Sequence, residues 1–242
     1  MIKSIVHSLI PDANQFIVGY ANLHGLLSGE LQNYPYGIVI GKKCDDDIIH
    51  AIVDGPTLAY YQHYLQINDE LTLLSRNIAQ SLHQAGVECM TIAPTITKEE
   101  REDEKFNRSL RSAVSHKMIA TRAGLGWIGK SDLFISKKFG PRLRLVSVLI
   151  DYPVSAEAPP VDKSRCGKCS ICVQCCPAQA ANGKLWNIRI ERHEFFDAQK
   201  CRQQCKIFGA DRLALDRGVC GICIAVCPVG KKDKQKIREE DP

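Results

Sequence analysis

The chain has 242 residues, enough for one sizeable domain and a small second one, and its 45% hydrophobic content excludes a disordered polypeptide. Its formal charge of +5 is a mild positive bias that does not by itself call for a nucleic acid or an acidic partner. The start, Met1-Ile2-Lys3-Ser4-Ile5-Val6-His7, carries no long apolar run and no cleavage-site pattern, and no later stretch approaches the ~20 apolar residues of a membrane span. A soluble, cytoplasmic protein with no membrane partner is expected.

Tyr34 to Gly41 has the glycine-bounded, β-branched character of a buried strand, closed by the polar residues Lys42 to Asp47. Asp54-Gly55-Pro56 opens a helix whose apolar stripe is Ile67, Leu71, Leu74, Ile78, Leu82 and Ala85, and Gly86 can end it in the left-handed conformation. Val87 to Ile92 reads as a short strand. Lys98 to Arg111 is so charged that it suits a solvated helix face or a loop. Ser115 to Arg122 is helix-like, Asp132 to Ser136 reads as a strand, and the strongly apolar run Leu143 to Ile150 as a central one. Pro153, Pro159 and Pro160 lie among small residues in a connector. The expected organisation is a mixed α/β (α+β) domain over 1–155, a cysteine-rich domain over 156–230 and a polar tail over 231–242.

Twelve cysteines without an export signal point to metal ligation rather than disulfides. The run Cys166-Gly-Lys-Cys169-Ser-Ile-Cys172-Val-Gln-Cys175-Cys176-Pro177 contains C-x2-C-x2-C-x3-C-P, the bacterial ferredoxin pattern, in which three thiolates hold one cubane and the fourth reaches a neighbouring cluster. A second motif, Cys220-Gly-Ile-Cys223-Ile-Ala-Val-Cys227-Pro228, lacks one close cysteine, and Cys201 and Cys205 are the candidates between the two. Crossed ligation then assigns Cys166, Cys169, Cys172 and Cys227 to one [4Fe-4S] cluster, and Cys176, Cys201, Cys220 and Cys223 to the other. Zinc also takes four thiolates, but the consecutive C-x2-C-x2-C and the two C-P endings favour iron-sulfur. Cys44, Cys89 and Cys175 stand outside every motif and suit buried packing.

Gly124-x-Gly126-x-x-Gly129 has the spacing of a dinucleotide fingerprint, but it follows a helix-like stretch instead of a strand. Ala123 to Ser131, with Leu133-Phe134-Ile135 and Phe139-Gly140, followed by the double-cluster motif, resembles the epoxyqueuosine reductases from about Ser109 to Gly230. That resemblance implies a nitroreductase-like α/β core, a ferredoxin-like double-cluster domain and base-off cobalamin held between them, reduced by the clusters to a nucleophilic low-valent state. It also implies that Gly124, Gly126, Trp127, Gly129 and Lys130 help bind the cofactor. Lys130 and Arg122, beside the loop, suit an anionic cofactor group.

Two departures bear on the substrate. The family's aspartate, its proton donor, aligns with Leu110 of Leu110-Arg-Ser-Ala-Val-Ser-His-Lys117, and no helical-repeat region follows Cys227. Gly55-Pro56-Thr57 and Tyr60-Tyr61-Gln62-His63-Tyr64 instead resemble short double-cluster relatives of that family. Tyr64, His63 and His116 are then the candidate proton donors, although the same aromatic residues suit helix packing. An iron-sulfur oxidoreductase is expected, with a donor such as ferredoxin or flavodoxin, a small-molecule or corrinoid ligand, and tRNA as an unlikely partner. The alternatives are an electron-transfer partner protein without small-molecule chemistry of its own, which predicts no roomy cavity, and an epoxyqueuosine-type tRNA reductase.

Overall fold

A computed structural model describes residues 1–231; the remainder of the expected tail lies outside the described residues. The elements in chain order are α1 (Ile2–Ser8), β1 (Phe16–Asn22), β2 (Tyr36–Lys43), α2 (Asp46–His50), α3 (Leu58–Gln84), β3 (Cys89–Ile92), α4 (Lys98–Glu102), α5 (Glu104–Ser109), α6 (His116–Arg122), β4 (Gly126–Ile128), β5 (Phe134–Ser136), β6 (Leu143–Ile150), α7 (Ile171–Gln174), α8 (Arg192–Phe195), α9 (Ala198–Leu213) and α10 (Ile222–Ala225). The fold is mixed α/β. Among the described residues no helix is long and apolar enough to cross a membrane.

The main sheet runs β1-β2-β6-β3 with every neighbouring pair antiparallel. Because side chains alternate along a strand, β2 and β6 divide their residues between two cores. Ile38, Ile40, Val146, Val148 and Ile150 face α3, whose Ile67, Leu71, Leu74, Ile78 and Leu82 complete the first core. Val39 and Leu149 face the other way, against Ile119, Ala120 and Ala123 in and just after α6. Gly37 permits that approach, since a Cβ there would lie 2.9 Å from Leu23 and 3.1 Å from Ile119.

Helix α3 begins where the sequence indicates, with Thr57 accepting the Tyr60 N–H at 3.2 Å, and Gly86 follows it at a φ of +77°. The apolar stripe is buried except at its last member, Ala85, which is exposed beside the cap. The charged stretch resolves into α4 and α5, hinged at Asp103, which closes one helix and caps the next. Residues 129–133 form the loop of the β4–β5 hairpin and 137–142 lead from it to β6, and the chain beyond β6 runs back across α6 and the hairpin. Cys175 is exposed at the end of α7, so the expectation that it packs inside is corrected; Cys44 is buried and Cys89 half-buried.

Leu71 is completely buried at the α3–sheet contact. Leu71→Ala is expected to cost about 2–5 kcal/mol, read from the shift of a denaturant unfolding midpoint.

Candidate functional site

The C-terminal segment gathers the motif cysteines into two sets. Cys172 lies within electrostatic range of Cys166, Cys227 and Cys169, and burial together with those neighbours pushes its thiol up to about 11. Cys223 is half-buried, feels Cys220, Cys201, Cys172 and Cys176, and is raised chiefly by desolvation. Helix α9 supplies Cys201 in its first turn, where Asp197 caps the N-terminus by accepting the Gln199 and Lys200 N–H groups. Cys205 follows one turn later. Its thiol hydrogen-bonds with the sulfurs of Cys201 and Cys220, holding both below the usual thiol range and its own far above it.

Backbone N–H groups also point at sulfur: Ala180 donates to Cys176 at 3.4 Å, Ile222 and Gly221 donate to Cys220, and Val229 donates to Cys227. Donors of this kind suit anionic thiolates, and hydrogen bonds to sulfur tune an iron-sulfur centre. Among the described residues no three His, Cys, Asp or Glu side chains draw together tightly enough for a single metal ion. Thiolates sharing a cubane bind separate iron atoms and do not need that convergence.

A cavity of about 990 Å³ opens between the sheet and the C-terminal segment. Its wall includes Thr91 to Thr97, Leu110 to Met118, Ile128 and Asp132 on one side and Trp186, Ile188, Ile190, Arg192 and Phe195 on the other. This is the upper end of the ~300–1,000 Å³ range of ligand sites. Lys117 and Asp132 form an ion pair on the wall: Nζ lies 2.8 Å from Oδ2 and donates to the Asp132 carbonyl at 2.7 Å. Asp132 is held at a φ of +57°, a conformation that Asp tolerates better than most residues. Both charges of this pair are felt at Cys201, so the pair that lines the cavity is also within electrostatic reach of the second thiol set.

Of the three candidate proton donors only His116 borders the cavity. Its Nε2 donates to the Ala93 carbonyl at 2.8 Å, which leaves Nδ1 to accept the Ser147 hydroxyl at 2.8 Å. Desolvation lowers its pKa to about 4, so the ring is neutral at physiological pH. His63 Nε2 accepts the Asp45 N–H at 2.9 Å, and the Tyr64 hydroxyl bonds Thr95 at 2.6 Å beneath the Arg144 guanidinium.

The glycine segment does a different job from lining the large cavity. A Cβ on Gly126 would sit 2.0 Å from the Ile135 carbonyl oxygen, so the β4–β5 hairpin requires glycine, and one on Gly124 would strike Ala158 and Pro159. Gly124 borders a separate cavity of about 240 Å³, and Gly129 packs on Ile135. Trp127 is buried with Ile135 and Val161 against Cys166 and Cys227. The two cations are engaged by protein atoms: Lys130 donates to the carbonyls of Gly167 and Cys169 at 3.0 and 2.9 Å, and Arg122 pairs with Asp162 and donates to Val161 O at 2.9 Å. The Lys117–Asp132 pair escaped the sequence reading, and its only local signal is an aspartate after Gly-Lys-Ser.

No protein-family model matches the chain. It is 41% identical over 70 residues to an epoxyqueuosine reductase of Pseudomonas aeruginosa, covering 29% of this chain and 19% of that protein. A second such protein, of Cyclobacterium marinum, is 32% identical over 134 residues, covering 52% and 40%. A third, of Leadbetterella byssophila, is 27% identical over 174 residues, covering 69% and 47%. The chain resembles epoxyqueuosine reductase. It spans less than half the length of these three relatives. Two solved structures share its fold: a reductive dehalogenase described as B12-dependent (TM-score 0.67, 18% identity, 98% of this chain and 32% of that one), and an epoxyqueuosine reductase holding an epoxyqueuosine-modified tRNA-Tyr stem loop (0.58, 14%, 95% and 64%).

The last match corrects the expectation that tRNA is an unlikely partner. Nearly the whole chain superimposes on a tRNA-bound enzyme, and neither Leu110 nor the length of the chain separates it from that fold.

Because His116 titrates lower in the folded protein than in the unfolded chain, its contribution is full above about pH 6.5 and is lost as pH falls towards 4. His116→Asn is expected to flatten that acid limb, by up to about 3 kcal/mol, in denaturation curves recorded across this range.

Proposed function

We propose that the chain is an iron-sulfur oxidoreductase in which two [4Fe-4S] clusters pass electrons to a corrinoid, or directly to a substrate, in the large cavity. The observation that carries the proposal is the gathering of the motif cysteines into two sets, with the Lys117–Asp132 pair on the cavity wall and within electrostatic reach of the second set. On this reading Cys166, Cys169, Cys172 and Cys227 hold the outer cluster, because Cys169 is exposed. Cys176, Cys201, Cys220 and Cys223 hold the inner one. The assignment accords with a nitroreductase-like domain over 1–155 and a ferredoxin-like one over 156–230.

A base-off corrinoid supplies a low-potential metal centre when bound. The chain's own residues do the rest. Val114, Ile128, Trp186 and Phe195 give the cavity apolar walls that exclude water, while Arg192, fixed by the carbonyls of Leu110 and Ser109, joins the two sides. Lys117 is the proton source we assign: its ammonium lies on the wall, is oriented by Asp132, and is about one third exposed for reprotonation from solvent. His116, neutral and bonded at both nitrogens, orients the wall. The roomy cavity weighs against a bare electron-transfer partner.

Anaerobic purification with iron, sulfide and cobalt analysis, followed by an aquocobalamin titration read by absorbance, tests the proposal. Wild type is expected to hold two clusters and bind the corrinoid. Cys201→Ser should lose about half the iron while Cys205→Ser keeps it. Ala113→Trp, which fills the cavity, should weaken corrinoid binding at least tenfold, about 1.4 kcal/mol, with iron unchanged. Iron-loaded protein that binds no corrinoid would remove that cofactor and leave the clusters.

A second reading, an epoxyqueuosine-type reductase acting on tRNA, is favoured by the fold shared with the tRNA-bound enzyme. It predicts tRNA binding whose affinity falls steeply with added salt, measured by gel shift or fluorescence anisotropy. Salt-independent or absent binding rejects it.

A further inference from the structure

Arg142, in the turn before β6, is the largest of the completely buried side chains among the described residues, with 1% of its surface exposed. Its guanidinium reaches the end of the second cysteine motif. Nη1 donates to Val229 O at 2.7 Å, and Nη2 to Cys227 O at 2.5 Å and Ala225 O at 3.4 Å. These carbonyls satisfy N–H groups but leave the positive charge uncompensated. A cation removed from water needs an anion or pays heavily for its desolvation. Among the described residues no carboxylate pairs with it. Cys227, one of the three residues whose carbonyls Arg142 holds, is a thiolate on the cluster reading.

We propose that Arg142 is the buried counter-cation of the outer cluster, setting that cluster's potential and making the fold depend on its being loaded. The inference rests on the cluster reading above. Four thiolates around a [4Fe-4S] core give an assembly that is a dianion when oxidised and a trianion once it takes one electron from an external reductant. A fixed positive charge favours the trianion, so it raises the potential. Arginine suits the position better than lysine: its planar fork engages three carbonyls at once and it keeps its charge when buried. The neighbouring backbone is equally committed, since Gly140 and Gly230, both at positive φ, pack against each other's turns with no room for a Cβ.

The test uses the full chain, purified anaerobically, as wild type, Arg142→Gln, Arg142→Met and Arg142→Lys, with iron counted first. In a dithionite titration followed by EPR, Arg142→Gln is expected to make the outer cluster about tenfold harder to reduce (~59 mV for one electron). The inner cluster should be unmoved, and Arg142→Lys should stay near wild type. Loss of half the iron in Arg142→Gln but not in Arg142→Lys supports the proposal equally. Denaturation gives a separate readout: Arg142→Met should destabilise the loaded protein yet leave unchanged or stabilise the chelator-stripped one, where the cation has lost its anion. An outer potential unchanged in loaded Arg142→Gln overturns the proposal, as does a Met substitution that destabilises loaded and stripped protein alike. Either result reduces Arg142 to a carbonyl clamp while the clusters stand. A wild-type chain that takes up no iron fails at the first count and overturns the cluster reading itself.

Discussion

Strand β6 is buried except at the half-buried Arg144 and Leu145, so the polar side chains that this strand and its leading turn carry have to be matched inside the protein. Three such residues follow one another. Arg142 reaches the carbonyls of residues 225, 227 and 229, Arg144 reaches Asn68 and the Pro94 carbonyl at 3.1 Å each, and Ser147 meets His116. Through these bonds one strand joins the thiol centres, the long helix and the cavity wall. The hydrophobic residues between them fix the strand, and the fixed strand positions the polar ones.

The hairpin loop from Gly129 to Asp132 works in the same way at a smaller scale. Three consecutive side chains face three different regions: Lys130 takes the carbonyls of the Cys166–Cys169 loop, Ser131 hydrogen-bonds Cys172, and Asp132 holds Lys117 at the cavity. A tight β-hairpin makes this possible, because Gly126 brings its two strands into contact with no side chain between them. The glycines that look like a nucleotide loop are therefore the means by which a short segment touches both thiol loop and cavity.

What the sequence disclosed followed the range of each interaction. The α3 stripe and the apolar run of β6 were legible because helix and strand periods are written locally, and the cysteine motifs because ligand spacing is. Strand β1 passed unread: Gly19 interrupts Phe16–Asn22, and its reason, a Cβ that would fall 2.8 Å from Ala123, lies a hundred residues away. The cavity was illegible for the same cause, its wall being assembled from segments between Leu26 and Phe195. Lys130 and Arg122 looked available beside their loop; the carbonyls and the carboxylate that occupy them come from residues 161–169.

The placement of Arg142 has a consequence for how the protein is made. Its acceptors belong to residues 225–229, so a growing chain on the ribosome can complete the β1-β2-β6-β3 sheet long before the guanidinium has anything to bind. Until then the sheet cannot close over that corner without stranding a charge. Nascent chains should wait in a partly open state, with final compaction reserved for the moment when the last cysteine motif emerges.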